Sequence, residues 1–485
     1  MKKLKDILYK VKISEVVGST SFDIDNISID SREISSSDLF IAIQGVSING
    51  HEFIARAIDN GAVAIVCESL PESLNSSVTY IKVGCSRESL SVISSNYYNI
   101  PSEKLKLVGI TGTNGKTTVA TLLFNLFYSA GYKVGLISTV VNRINEKKIN
   151  STQTTPDSIQ INFLLNEMIN EGVEYCFMEV SSHGIHQKRT NNLVFAAGIF
   201  TNLSHDHLDY HTSFSEYRDV KKLFFDQLPK SSFSLINKDD KNGVFMTQNT
   251  TSKVYSYAIN SYADYKVQIL EKSIQGMLLK IDQTELWTSL TGKFNAYNLL
   301  SVISAATLLG LPKDKTLEHA SLLKSVIGRF EFVVENKITA IIDYAHTPDA
   351  LKNIIETINE LRTNNESLIT VVGCGGDRDS LKRPLMGKIS SSLSSKVVFT
   401  SDNPRSESAA TIIEEMKQGV EPINYKKVLS IIDRKEAIKT ACQLANKKDI
   451  ILIAGKGHEM YQEINGVKNH FNDLEIVKEY LTKLI

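Results

Sequence analysis

A three-domain α/β protein is the fold this sequence predicts, with a phosphate-loop (P-loop) central α/β domain and a Rossmann-like C-terminal domain. Three observations carry that expectation. The chain has 485 residues, which at ~150 per domain suggests three. Apolar runs alternate with amphipathic stretches over 105–204 and again over 339–457, the pattern of mostly parallel sheets covered on both faces. Between the first apolar run of the central region and the helix after it lies a Gly-rich turn carrying Lys-Thr.

The first domain is expected over 1–100. DLFIAI (38–43) and AVAIVC (62–67) read as strands, and 51–62 reads as a helix stopped at Gly61. The polar stretch SNYYNI before Pro101 marks the boundary. The central domain, 101–328, starts with the strand LKLVGI (105–110) and a helix over 116–130 ended by Gly131. KVGLIST (133–139), EYCFMEV (174–180) and VFAAGIFTNL (194–203) are further strands. An amphipathic helix is expected over 214–228 and a strongly apolar one over 294–311. Between them, VYSYAI, YKVQIL, MLLKID and ELWTSL predict a small four-stranded antiparallel sheet. The C-terminal domain, 329–485, resumes the alternation. Its strands are TAIIDYA, LITVVGCGG, KVVFTS, KVLSII and DIILIAGKG, with helices over 348–361, 407–418 and 434–445.

Lys plus Arg and Asp plus Glu each number 54, so the net charge is zero. That argues against a general nucleic-acid or membrane-surface binder. No apolar run is long enough to span a bilayer, and MKKLKDILYKVKIS lacks the apolar core of a signal peptide. Five scattered cysteines without a CxxC pair fit free thiols in a reducing cytoplasm, so a cytoplasmic location is expected.

GITGTNGKTT (109–118) follows an apolar strand and opens a helix. Gly112 and Gly115 let the backbone bend so that the amides of Thr113, Asn114 and their neighbours face phosphate oxygens. Lys116 adds a fixed charge, the Thr117 hydroxyl can ligate magnesium, and Thr118 extends the helix N-terminus. The spacing departs slightly from GxxxxGK[ST], since Ile110 stands five places before Gly115. These features predict a site for a nucleoside triphosphate with Mg2+. MEVSSHG places Glu179, and TNLSHDHLDYH places His205, Asp206, His207 and Asp209, just beyond two strands of the same sheet, where α/β proteins bind ligands. Glu179 and His207 are the candidate metal ligands.

TGTNGKTT, EVSSHG, NLSHDHLDYH, GKFNAYN, GRFE, DYAHTPDAL, GCGGDRD, DNPR and AGKGHE occur in that order, within a similarity that runs from about Ser31 to His458. Together they resemble the Mur ligases of peptidoglycan synthesis, and among these the members that add the third residue of the peptide. The resemblance implies an N-terminal domain for the UDP-sugar, a central one for ATP as substrate, and a C-terminal one for the amino acid. It implies that Thr117 and Glu179 hold magnesium, that His207 helps hold a second ion, and that Lys116 meets the β and γ phosphates. Read alone, Lys221 is a surface lysine; the family carries a carbamylated lysine (N6-carboxylysine) at this spacing. Asn295 and Asn298 match adenine-side residues; Arg329, Asp343 and His346 match the hinge and ribose side.

On the acceptor side, Ser31 and the loop 45–50 match the UDP region, with Asn49 where the family often has Asp. Thr154, Thr155, Ser181, Gln187 and Arg189 match the residues that hold UDP-N-acetylmuramoyl-L-alanyl-D-glutamate. In the resembling family, DNPR marks members that take meso-diaminopimelate. Arg405 has the geometry to grip its distal carboxylate, and Arg378, Asp402, Asn403, Pro404, Gly455 and Glu459 complete the matched set. The expected partners are therefore UDP-N-acetylmuramoyl-L-alanyl-D-glutamate, meso-diaminopimelate and ATP, with no nucleic acid, no membrane insertion, and a monomeric chain. L-lysine as the added residue, a folylpolyglutamate-type ligase and a P-loop switch or transport ATPase are the competing readings.

Overall fold

The structure, a computed structural model, describes residues 1–485 except 46–47, 208–209, 363–364 and 484–485. Part of the loop 45–50, and the whole of Asp209, therefore lie outside the described residues. Three α/β units follow one another along the chain, each built on its own sheet.

In the N-terminal unit the strand order is Ile13–Val17, Thr79–Val83, Ala62–Cys67, Asp38–Ile41, Ile27–Ser28. All pairs are parallel except the first. The apolar run 62–67 is a strand over the expected span, and its residues fill both faces: Ala64 and Val66 on one, Ile65 and Cys67 on the other. The expected helix 51–62 divides into a 3-10 turn, Gly50–Phe53, and a short α-helix, Ile54–Asp59.

The central sheet has nine strands, ordered Lys147–Asn150, Val141–Ile144, Val134–Ile137, Tyr175–Glu179, Lys106–Thr111, Ala197–Phe200, Phe233–Asn237, Lys253–Ala258, Tyr265–Lys266. The expected four-stranded antiparallel sheet is corrected by the structure. Lys253–Ala258 runs parallel to Phe233–Asn237 as the last strand but one of the main sheet. YKVQIL is split: Tyr265–Lys266 ends the main sheet, and Gln268–Ser273 opens a three-stranded antiparallel sheet with Gly276–Ile281 and Thr284–Thr288. Packing decides this: Tyr257 is buried and its hydroxyl donates to Phe200 O at 3.1 Å, which draws the strand onto the main core. The helix Lys116–Ser129 packs under the sheet with Val119, Leu123 and Phe127, against the apolar helix Lys293–Leu308.

The C-terminal sheet is ordered Glu331–Glu335, Ile338–Asp343, Ile450–Ala454, Leu368–Val372, Lys396–Phe399, Val428–Ser430, parallel after the first hairpin. Thr347 accepts a hydrogen bond from Ala350 N and Pro348 sits at the first turn, so the helix Pro348–Leu361 starts where its sequence signals place it. The strand ends of this sheet face the phosphate loop of the central one.

Candidate active site

The phosphate loop leaves Lys106–Thr111 at the centre of its sheet and enters the helix Lys116–Ser129. Gly112 has φ 148°, and a Cβ there would lie 2.0 Å from Thr201 Oγ1, so only glycine lets the turn pass. Asn202 Oδ1 accepts from Asn114 N at 2.9 Å, and Thr113 N donates to Asn202 O at 2.8 Å, bracing the loop against the next strand end. Lys116 Nζ lies over the loop, donating to Gly112 O at 2.9 Å and Thr113 O at 2.7 Å. Desolvation lowers its pKa, opposed by the nearby Glu179.

Thr117 Oγ1 donates to Glu179 Oε2 at 3.0 Å, and Glu179 Oε1 accepts from Thr139 N at 2.8 Å. Glu179 is fully buried at the end of its strand. A hydroxyl and a carboxylate so close, beside a phosphate loop, are a hard-oxygen pair that fits a divalent cation such as magnesium. Among the described residues no cluster of three or more His, Cys, Asp or Glu could hold a metal alone. Phosphate oxygens and water have to complete the shell. His207 also lines the cavity, with Nε2 3.4 Å from Asp206 Oδ2. Burial pushes its pKa down to about 3, so the ring is neutral at pH 7 and able to ligate. His205 is exposed and lies outside the cavity.

Lys221 is not a surface residue. It is 1% exposed, on the inner face of the helix Phe214–Asp226, and Nζ donates to Gly112 O at 3.0 Å. Burial, reinforced by Lys116, puts its pKa well below the usual lysine value. A lowered pKa raises the share of neutral, nucleophilic amine, the form that reacts with carbon dioxide. Its neighbour Lys222 instead pairs with Asp226 at 2.7 Å.

A cavity of about 460 Å³ joins these groups to the C-terminal unit. Its walls include Lys116, Thr117, Glu179, His207 and Lys221 on one side and Arg378, Asp402, Asn403, Arg405, Gly455 and Glu459 on the other. Asn403 Nδ2 donates to Glu459 Oε2 at 2.7 Å, and Lys456 Nζ reaches the same oxygen at 2.9 Å. Burial and the adjacent Asp402 raise the Glu459 pKa. Arg405 donates from Nη1 to Gly376 O at 2.6 Å. Gly455 has φ 112°, and a Cβ there would lie 2.4 Å from Asp402 Oδ2. Pro404 does not line the cavity; its carbonyl accepts from Glu407 N at 2.9 Å.

A second cavity, about 530 Å³, shares Asn114, Gly115 and Arg329 with the first and holds Asn295, Asn298, Asp343 and His346. Asn298 Nδ2 donates to Asn295 Oδ1 at 3.2 Å, and Asn295 Nδ2 to Thr291 O at 2.9 Å. Asp343 takes Phe330 N at 2.7 Å and Ala345 N at 2.8 Å, so it orders the hinge loop. Arg329 Nη2 donates to Thr117 Oγ1 at 3.2 Å, tying that hinge to the phosphate loop. Burial pushes His346 down to about 4.

A third cavity, also about 530 Å³, lies on the N-terminal unit and shares Gln153 and Arg189 with the first. Ser31 and Gln187 line it, whereas Thr154, Thr155 and Ser181 line the first. Arg189 Nη1 donates to Thr155 O at 2.6 Å and Nη2 to Gln187 Oε1 at 2.7 Å, at the junction of the two. Arg32, Arg56 and Arg87 add positive charge to the third cavity. These three arginines were not among the residues the sequence singled out, because they are far apart along the chain. Lys382 was not singled out either; it lines the first cavity, and its side chain makes no hydrogen bond or ion pair among the described residues. Its place directly after GGDRDSL, at a helix start, was the available signal.

Fold and site together define a nucleotide-binding α/β protein whose three units contribute to one run of adjoining cavities. The chain matches the family described as Mur ligase family, catalytic domain, over residues 23–98; Mur ligase middle domain over 110–306; and Mur ligase, glutamate ligase domain, over 328–457. The chain belongs to the Mur ligase family. It is 53% identical, over 99% of both chains, to a Cytophaga hutchinsonii protein named UDP-N-acetylmuramoyl-L-alanyl-D-glutamate--2,6-diaminopimelate ligase. It is 52% identical to the protein of that name from Bacteroides fragilis, over 98% of this chain and 99% of that one. A solved structure titled with the same enzyme name superposes with a TM-score of 0.69 at 30% identity, covering 99% of each chain. No helix among the described residues is long and apolar enough to cross a membrane.

Proposed function

We propose that this chain is an ATP-dependent ligase that adds meso-diaminopimelate to UDP-N-acetylmuramoyl-L-alanyl-D-glutamate, releasing ADP and phosphate. The observation that carries this reading is a single cavity with Lys116 at one end and Arg378 and Arg405 at the other. A phosphate-binding loop thus faces a pair of arginines suited to a carboxylate. L-lysine has no distal carboxylate and would leave Arg405 without a carboxylate partner from the ligand.

The acceptor carboxylate attacks the γ-phosphorus of ATP, and ADP departs, leaving an acyl phosphate. The amine of diaminopimelate then adds to the acyl carbon, loses a proton, and expels phosphate to form the amide. Lys116 and the loop amides offset charge on the transferring phosphoryl group. Thr117 and Glu179 are the residues to hold magnesium, with His207 toward a second ion; when bound, magnesium screens the phosphate oxygens. Lys221, as its carbamate, turns a buried amine into a carboxylate that faces this oxygen-rich end. Asn295, Asn298 and Asp343 shape the nucleotide cavity, and Arg329 couples it to the C-terminal unit. Ser31, Gln187 and Arg189, with Thr154, Thr155 and Ser181, lead the acceptor from the third cavity into the first. Asp402 and Asn403 take an ammonium of the amino acid, with Gly455 and Glu459 as the remaining contacts.

The work divides between 1–100 for the UDP-sugar, 101–328 for ATP and 329–485 for the amino acid. One chain builds all three cavities, which fits a monomer. Five free cysteines, four of them buried, fit the reducing cytoplasm. The test is phosphate release measured with ATP, acceptor and a panel of amino acids. Release requiring both acceptor and diaminopimelate, with ADP as the nucleotide product, is expected. Equal release without either substrate, or AMP with diphosphate, would overturn the reading.

A further inference from the structure

Two loops carry the residues assigned to the amino acid, and each is strained. One follows Leu368–Val372 and holds Asp377 at φ 53°; the other follows Lys396–Phe399 and holds Arg405 at φ 51°. Left-handed backbone outside glycine persists only where the surroundings over-determine it. The loops are tied directly: Gly376 N donates to Asn403 O at 2.9 Å, and Ser406 Oγ to Asp377 Oδ1 at 2.6 Å. Gly376 is close-packed, since a Cβ there would lie 1.9 Å from Pro404 O.

Behind both loops lies Arg383, near the start of the helix Lys382–Leu393 and 1% exposed. It does not line the cavity. Nη1 and Nη2 donate to the two oxygens of Glu407 at 2.8 Å each, a two-pronged pair. Nη1 also donates to Glu415 Oε2 at 2.7 Å, and Nη2 to Gly375 O at 3.3 Å. Glu407 Oε1 in turn accepts from Asp377 N at 2.5 Å. One guanidinium and one carboxylate therefore hold the first loop by its Gly375 carbonyl and Asp377 amide, and the second loop through Glu407 itself. A buried ion pair adds little net stability against an apolar filling. A planar fork does fix geometry, which a lysine ammonium does not.

We propose that Arg383, acting through Glu407, is a positioning residue for amino-acid selection: it fixes the two loops so that Arg378 and Arg405 face the distal carboxylate of diaminopimelate. The inference rests on the function proposed above. Arg383→Lys keeps the charge and loses the fork; Glu407→Gln keeps the shape and loses the carboxylate.

Steady-state kinetics on each full-length variant test it. KM for diaminopimelate rises about tenfold or more, and the preference over lysine falls by about as much, while KM for ATP and for the acceptor stays within about twofold. An unchanged KM for diaminopimelate and unchanged preference, or an equal rise in all three KM values, would overturn it. Hydrogen exchange supplies a readout free of activity. Amides of 375–378 and 402–407 exchange faster in Arg383→Lys, and those of the phosphate loop do not. Unchanged exchange at those amides sinks the positioning role. A wild-type enzyme inactive with diaminopimelate sinks the proposed function instead, and the exchange result stands separately.

Discussion

At the phosphate end of the cavity one continuous stretch, 109–118, supplies loop, charge and helix start. At the amino-acid end the groups come from loops spread over 378–459. The phosphate end presents mainly backbone, and Gly112 is fixed there because a Cβ would lie 2.0 Å from Thr201 Oγ1. The amino-acid end uses side chains that need support from behind, such as Asn403 held by Glu459 and Lys456. The difference teaches where each end is vulnerable. On the proposed function, chemistry is expected to depend on single residues at the phosphate end, whereas selectivity is expected to depend also on residues that never touch the amino acid.

The sharpest break in that comparison is at Lys221. Lys221→Ala should lower turnover by about a thousandfold, in line with losing a preorganised charged group, and small carboxylic acids at high concentration should restore part of it. Near wild-type turnover in that variant would contradict a role at the phosphate end. Next in size is Glu179→Gln, expected to lower turnover about a hundredfold and to raise the magnesium concentration needed for half-maximal rate. Titration of activity against magnesium checks this, and an unchanged requirement would remove Glu179 from the metal site.

Smaller is the effect of pH on stability. Burial holds His207 down to about 3 and His346 down to about 4, below the usual histidine value of 6.5. The unfolded chain therefore binds more protons than the folded one between about pH 6.5 and 4, so folding stability falls as pH falls through that window. A pKa unit corresponds to about 1.4 kcal/mol, reduced here because both rings are only half-buried. Thermal unfolding should show a declining midpoint below about pH 6.5. His346→Asn should flatten that decline, and an identical slope in the variant would contradict the assignment.

The sequence was most legible where structure is local. The phosphate loop is one motif between a strand and a helix, and 348–361 is bounded by its own Thr-Pro start, so Pro348–Leu361 lies where expected. The burial of Lys221 was also available: Tyr217, Val220, Lys221 and Phe224 form the apolar stripe of their helix. Composition alone makes any lysine a surface residue, which hid it. The strand Phe233–Asn237 and the hairpin Val141–Asn150 were not read, because SFSLIN is a short run with few apolar residues and VNRINEKKIN is mostly polar. Lys253–Ala258 was read as a strand but placed in the wrong sheet, since alternation along a strand does not distinguish a parallel partner from an antiparallel one. Arg32, Arg56 and Arg87 meet only after the N-terminal sheet folds, and Arg383 and Glu407 are 24 residues apart.

The central claim is that one cavity couples phosphoryl transfer at Lys116 to a carboxylate grip at Arg405. The most direct measurement is kcat/KM for meso-diaminopimelate against L-lysine, in the wild type and in Arg405→Ala. A wild-type preference of about a hundredfold or more is expected, as for a site built to pair a charged group, collapsing toward parity in the variant. Equal use of lysine by the wild type, or a preference that survives Arg405→Ala, would contradict the account.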